Sequence, residues 1–175
     1  TALGGRDRVL AVKTLVINGE GSQGNMGQDM TPEATSQTFS VTYRRSIDVA
    51  AGRARIEQTR TPTFNYFQGP APQKRTMGVD EEIGYDVAPD GTAGRTPEAP
   101  ARDRRADIYH HPLTIVRVPL DRATKLDNAR AMGNERAVAI TTPRGLNFTL
   151  AIDAASGLPT RVVSMSNNAV LGDVA

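Results

Sequence analysis

Alternation of apolar and polar positions is the strongest signal along the chain, and it predicts antiparallel strands. Within residues 38–48 one face takes every second position: Phe39, Val41, Tyr43, Arg45 and Ile47. A period of two over this length is typical of a strand with one buried face. After the turn at Ala51-Gly52, residues 53–61 alternate in the same way, with Ala54 and Ile56 on one face. The two segments are therefore predicted to pair as a hairpin.

Shorter strands and a few helices are predicted along the rest of the chain. The further strands are 12–20, 73–79, 82–88, 125–132, 135–142, 146–153 and 158–165. Helices are predicted over 3–11, 101–110 and 113–118. The last two form one helical insertion near 101–118, which Pro112 divides. Residues 21–34 and 89–100 are rich in Gly, Pro and polar residues, so we expect loops there.

This order of elements predicts a mostly β (α+β) fold. Eight or nine short strands with so few helices cannot have both sheet faces covered. We expect a strongly curved antiparallel sheet, an unclosed half-barrel, with a short N-terminal helix and the insertion near 101–118 plugging its concave face. Residues 1–175 are expected to form a single half-barrel-like domain. Because the chain ends at Ala175 as another strand begins, this domain is predicted to be truncated at its C-terminal end.

Composition and charge exclude several classes of function. The chain has no Cys, which excludes a disulfide scaffold, a thiolate zinc site, an iron–sulfur centre and a cysteine nucleophile. Its 21 Lys and Arg are interleaved with 19 Asp and Glu, so no long basic stripe is present for nucleic acid. No stretch reaches the roughly 18 to 20 apolar residues that a membrane-spanning helix needs. We expect neither nucleic acid nor a membrane span.

The sequence contains no recognisable catalytic or metal-binding motif. Its two histidines, His110 and His111, are adjacent, and neighbours on a helix point about 100° apart, unlike an i,i+4 metal pair. We interpret them as the end of a helix, where imidazole meets the negative end of the helix dipole. The other hypothesis for these residues is a stand-alone enzyme that uses one of the two histidines. No catalytic residue, metal ligand or cofactor is predicted in this chain.

Aromatic and arginine residues are the remaining candidates for a site. The aromatic residues either form an ordinary core or line an apolar groove on the concave face. The candidate groove residues are Phe39, Tyr43, Phe64, Tyr66, Phe67, Tyr85 and Tyr109. A groove of this kind would enclose a cavity of a few hundred Å3, about the size of a ligand pocket. The run at 102–105 is either a solvated helix face or a partner surface formed by Arg102, Arg104 and Arg105.

Several segments resemble a known family. They are RARIEQTRT at 53–61, YFQG at 66–69, RRADIYHHP at 104–112 and DAASGLPTR at 153–161. These segments resemble the domain that precedes the catalytic domain in certain exported bacterial metallo-β-lactamase-fold hydrolases. The opening LGG at 3–5, AVKTLV at 11–16 and the SGLP turn also resemble the lipoprotein-carrier half-barrel family.

The resemblance implies a half-barrel that binds an acyl chain or another apolar small molecule in the periplasm or outside the cell. It also implies a zinc hydrolase domain beyond Ala175. The HxHxDH zinc motif of those hydrolases is absent here, so no catalytic residue carries over and zinc is expected only in the following domain. The implied function is a non-catalytic accessory or lipophilic-ligand-binding domain. The alternative is a purely structural domain with a self-plugged groove, packed on the parent's catalytic domain or on a second copy.

Overall fold

Antiparallel strands in two unclosed sheets make up most of the structure. The computed structural model of the protein describes residues 2–24, 39–63, 72–168 and 172–175. Within these residues a short helix precedes the first strand, and a helical segment separates the two sheets along the chain. The predicted fold class, a mostly β chain with an unclosed antiparallel arrangement and a helical insertion, is confirmed.

The first sheet is a six-stranded antiparallel meander in which each strand pairs with the next. Its strands are β1 (Thr14–Gln23), β2 (Phe39–Asp48), β3 (Arg53–Pro62), β4 (Gln73–Asp80), β5 (Ile83–Val87) and β6 (Ala93–Arg95). The hairpin predicted from alternation is formed by β2 and β3, where Ile47 lies opposite Ala54. Short turns join β2 to β3 and β4 to β5, because antiparallel neighbours need only a few connecting residues.

The pairing register assigns every side chain of this sheet to one of two faces. Residues directly opposite one another on adjacent strands share a face, and successive residues alternate. Ile47, Ala54 and Val79 form one such row across β2, β3 and β4, and all three are buried. Their side is called the inner face below. Arg53 and Arg55 flank Ala54 in sequence, lie on the outer face and are exposed.

The second sheet has four strands in the order β10-β9-β8-β7. They are β7 (Lys125–Met132), β8 (Glu135–Thr141), β9 (Asn147–Asp153) and β10 (Pro159–Val163). A short ribbon of β11 (Ser166–Asn168) and β12 (Gly172–Val174) follows. All four strands predicted in the last third of the chain are confirmed, although β10 ends two residues before the predicted position.

The helical segment packs against both sheets. It consists of α2 (Glu98–Ile108), α3 (Pro112–Ile115) and a 3₁₀ turn at Val118–Leu120, whereas α1 (Arg6–Ala11) precedes β1. Ile108 packs with the inner row of the six-stranded sheet. Ile115 packs with Ile140 and Phe148 of the four-stranded sheet. Tyr109 contacts both groups, so the segment joins two apolar cores.

Two predicted loops contain regular structure. Residues 21–23, expected to be loop, extend β1 because they pair with β2, as in Gly21 opposite Val41. The stabilisation from this pairing outweighs the low strand propensity of glycine. Residues 25–34 of that expected loop lie outside the described residues. In 89–100, β6 forms and α2 begins at Glu98. Pro100 is tolerated in the first helical turn because backbone N–H groups there have no partner within the helix.

No helix of the described ranges is long and apolar enough to cross a membrane.

Candidate functional site

An open recess of about 260 Å3 lies on the inner face of the six-stranded sheet. Its lining residues are Ile17, Tyr43, Arg45, Ile56, Gln58 and Met77. Four of them form a single row across β1 to β4, because Ile17 lies opposite Arg45, Arg45 opposite Ile56 and Ile56 opposite Met77. The adjacent row contains Ile47 and Val79 and is covered by Ile108 of α2. The recess therefore begins where the helical cover ends.

Arg45 closes the side of the recess next to α2. Its Nη2 donates to the Asp107 carboxylate at 3.0 Å and its Nη1 donates to the Asp107 carbonyl oxygen at 3.3 Å. The Arg45 side chain is only 21% exposed. A charged residue on a mostly buried face needs a charged or hydrogen-bonding partner. Asp107 supplies both, so the ion pair attaches the end of α2 to the sheet and neutralises Arg45.

Tyr43 forms the opposite side of the recess. It lies directly across from Gly19 of β1, and a Cβ added to Gly19 would lie 2.6 Å from the Tyr43 ring. The ring therefore occupies the space that a side chain at Gly19 would need, an approach that only glycine permits. Tyr43 remains 36% exposed, so its ring is available to contact a molecule in the recess.

The structure separates the aromatic residues predicted to line one groove. Phe39 and Tyr43 share the inner face, with Val41 between them, and Phe39 is buried. Tyr85 lies on the outer face, since it pairs with Gly78 and lines a different, shallow groove of about 540 Å3. Tyr109 lies between the helical segment and the four-stranded sheet, with its ring centroid 5.4 Å from that of Phe148. The predicted groove residues Phe64, Tyr66 and Phe67 lie outside the described residues.

Arginines of the predicted partner surface mostly face inward. Arg104 is 16% exposed, and its Nη1 donates to the Tyr85 carbonyl at 2.7 Å while its Nη2 donates to Asp86 at 2.8 Å. Arg105 is 14% exposed and pairs with Glu82. The helical repeat turns both residues toward the sheet, so their charges hold α2 in place and are not free for a partner. Arg102 alone of the three is exposed.

The two histidines take different structural roles. His110 is exposed, and its Nε2 lies 2.9 Å from the Ser164 hydroxyl. His111 caps α3, because its Nδ1 accepts a hydrogen bond from the Leu113 N–H at 3.2 Å. The interpretation of His111 as the end of a helix is therefore wrong: it lies at the N-terminus of α3, which Pro112 at the first helical position could have indicated. In the parts of the chain that the structure describes, no group of three or more His, Asp or Glu is placed to hold a metal ion.

The cap at His111 makes stability depend on pH. Burial lowers the pKa of His111 below its ordinary value, and Nδ1 accepts the capping bond only while it is unprotonated. The unfolded chain therefore takes up a proton first as the pH falls. The stabilising contribution of this group is present above about pH 6.5, the ordinary histidine value, and is lost as the pH falls through the lower folded value.

We expect His111→Asn to retain the cap and remove this pH dependence, since asparagine is a good capping residue without a titrating group in this range. Urea unfolding midpoints of the two proteins at a series of pH values between neutral and mildly acidic measure it. His110→Asn is the matched control and should follow the wild-type curve. Parallel curves for wild type and His111→Asn would contradict the assignment.

Comparison of the chain with protein-family models, with curated proteins and with solved structures finds no match. The resemblance to the lipoprotein-carrier half-barrels and to the domain that precedes exported hydrolases therefore stays a prediction.

Proposed function

We propose that the protein is a non-catalytic domain that binds a lipophilic ligand in the recess on the inner face of the six-stranded sheet. The observation that carries the proposal is that the half-buried apolar side chains of Ile17, Ile56 and Met77 line the recess, beside the row that Ile108 of α2 covers. Replacing the water over apolar side chains on a concave surface by a lipophilic ligand lowers the free energy of the system.

The size of the recess limits what it takes. About 260 Å3 is slightly below the range of roughly 300 to 1,000 Å3 of pockets that enclose whole small-molecule ligands. One apolar group, such as the end of an acyl chain, fits the recess better than a complete lipid does. The open side leaves the remainder of such a ligand free to extend along the sheet.

The wider setting of the domain is part of the same proposal. An accessory role beside an exported metallo-β-lactamase-fold hydrolase, and a periplasmic or secreted location, are supported by the resemblance of residues 53–61, 104–112 and 153–161. The acyl-chain ligand that this resemblance implies agrees in chemistry with the apolar lining of the recess. Any catalytic step is assigned to the parent's hydrolase domain.

Filling the recess tests the proposal. Ile17 and Val16 are neighbours on β1 that face opposite sides of the sheet. We expect Ile17→Trp to weaken binding of the neutral lipophilic fluorophore N-phenylnaphthylamine by about tenfold, because the larger ring fills the recess and takes apolar contact area from the probe. Fluorescence titration measures the affinity. Val16→Trp places the same ring on the outer face and should bind the probe as the wild type does. Equal affinities for the three proteins would contradict the recess as the binding site.

A structural role is the second candidate, and the edge of the four-stranded sheet favours it. All eight residues of β7 are exposed, including Leu126 at 53%, and an open edge strand invites pairing with another strand. Two features weaken this candidate. A bulge between Asp127 and Arg130 interrupts the pairing of β7 with β8, and charged residues on β7 oppose pairing with a further strand.

Native mass spectrometry separates the candidates: a bound small mass supports the carrier role, whereas a bare dimer supports the structural one.

A further inference from the structure

Two arginines lie on the inner face beyond the recess, on the side away from α2. Arg75 of β4 is directly opposite Gln58, which lines the recess. Arg60 of β3 is directly opposite Gln73, so Arg60 and Arg75 are diagonal neighbours on adjacent strands. Such neighbours are about 7–8 Å apart, within reach of long side chains. Both guanidinium groups therefore lie at the same end of the inner face.

Arg60 is held in a defined position. Its guanidinium stacks over the Phe39 ring at 4.4 Å from the centroid, and its Nη2 donates to Gln73 Oε1 at 2.7 Å. Its Nε is buried and has no hydrogen-bond partner in the described part of the chain. Burial and the neighbouring charge of Arg75 lower the pKa of Arg60. Two like charges side by side, of which Arg75 is exposed, indicate that an anionic acceptor would be stabilised here.

No carboxylate that the structure describes on this face is free to neutralise the pair. By register, Asp86 is the one acidic residue that β1 to β6 place on the inner face within the described ranges. Asp86 accepts from Arg104, and Asp107 of α2 accepts from Arg45. The end of the inner face at Arg60 and Arg75 is therefore positively charged, while the recess beside it is largely apolar.

We infer that the ligand of the recess is an amphiphile with an anionic head group, its apolar end on Ile17, Ile56 and Met77 and its head on Arg60 and Arg75. This inference rests on the proposed function. Two residues of a strand span about 7 Å and four span about 13 Å, so an extended molecule lying along β3 and β4 reaches from the recess to both arginines. Guanidinium groups bind phosphate and carboxylate through paired hydrogen bonds.

Displacement of N-phenylnaphthylamine compares three competitors: octyl phosphate, 1-octanol and inorganic phosphate. We expect octyl phosphate to displace the probe at about tenfold lower concentration than octanol, a gain typical of a charge-assisted contact. Inorganic phosphate should leave the probe bound, because it has no apolar part. Displacement by inorganic phosphate as effective as by octyl phosphate would overturn the amphiphile and leave an anion site.

Charge deletion on opposite faces of one strand supplies the control. Arg75→Gln should reduce the preference for octyl phosphate to about twofold or less while octanol binds as before. Arg75 is exposed, so Arg75→Gln keeps the fold. Arg60→Gln should also reduce the preference for octyl phosphate. Lys74→Gln removes the same charge from the outer face and should retain the preference. An equal loss in Lys74→Gln would show unspecific attraction and overturn the inference.

Failure of the inference and failure of the proposed function give different results. If octanol and octyl phosphate displace the probe from the wild type equally well, the head-group assignment is wrong and the recess remains a lipophilic site. If the probe does not bind at all, the proposed function is wrong and the inference is overturned with it.

Discussion

Tyr109→Ala is expected to lower the free energy of unfolding by about 3 kcal/mol, the low end of the range for removing an aromatic side chain from a core. Tyr109 packs against the cores of both sheets, and its ring contacts Phe148 of the four-stranded sheet. Its loss removes apolar contacts on two sides and leaves a cavity where the cores meet. Chemical denaturation followed by circular dichroism measures the change.

Tyr109→Phe is the matched control because it keeps the ring and removes only the hydroxyl group. We expect it to change the unfolding free energy by less than about 1.5 kcal/mol, the usual limit for a swap that conserves volume. If Tyr109→Ala and Tyr109→Phe were equally stable, the ring would not contribute to the packing between the cores. A broadened transition in Tyr109→Ala alone would show that the two sheets unfold less cooperatively without it.

Gly84→Val is expected to destabilise the protein by about 3 kcal/mol or more through overpacking. Gly84 of β5 lies against α2, and a Cβ added there would be 2.8 Å from the Ala101 Cβ and 2.9 Å from its Cα. One of those atoms belongs to the helix backbone, so a side-chain rotation cannot relieve the contact. The variant must push α2 away from the sheet, which also disturbs the Arg104 and Asp107 bonds that hold the helix. Thermal unfolding measures the loss.

Gly94→Val on the adjacent strand β6 controls for the change of residue type. A Cβ at Gly94 meets no atom within 4 Å, and valine favours strands, so this variant should be as stable as the wild type or slightly more. A similar loss in both variants would mean that β-strand glycine, and not the approach of α2, explains the effect at Gly84.

The alternation along 38–48 and 53–61 was sufficient to predict β2 and β3, their pairing and their buried face. The same pattern placed Arg45 at an apolar-face position, and the structure confirms that position. It did not indicate the partner, because Asp107 lies 62 residues away in the sequence. An ion pair of this kind depends on the way α2 crosses the sheet, which no local pattern contains.

Tyr85 shows the limit of periodicity. Ile83, Tyr85 and Val87 alternate with polar or small residues, and a strand was correctly predicted there. Alternation alone does not say which face of a sheet is covered. The pairing of Tyr85 with Gly78 places its ring on the outer face, whereas the small residue Gly84 faces α2. Tyr85 is therefore separated from Tyr43, although both were candidates for one groove.

The sequence by itself determined the longer strands, the class of fold and the absence of thiol chemistry, because strand periodicity and residue composition are local properties. Only the tertiary structure decided where the candidate site lies. The recess lies beside the row of Ile47 and Val79 that Ile108 of α2 covers, and Ile17, Ile56 and Met77 line it. The basic end at Arg60 and Arg75 arises from the register between β3 and β4. Both depend on contacts between residues far apart in the chain, which are set by the packing of whole elements.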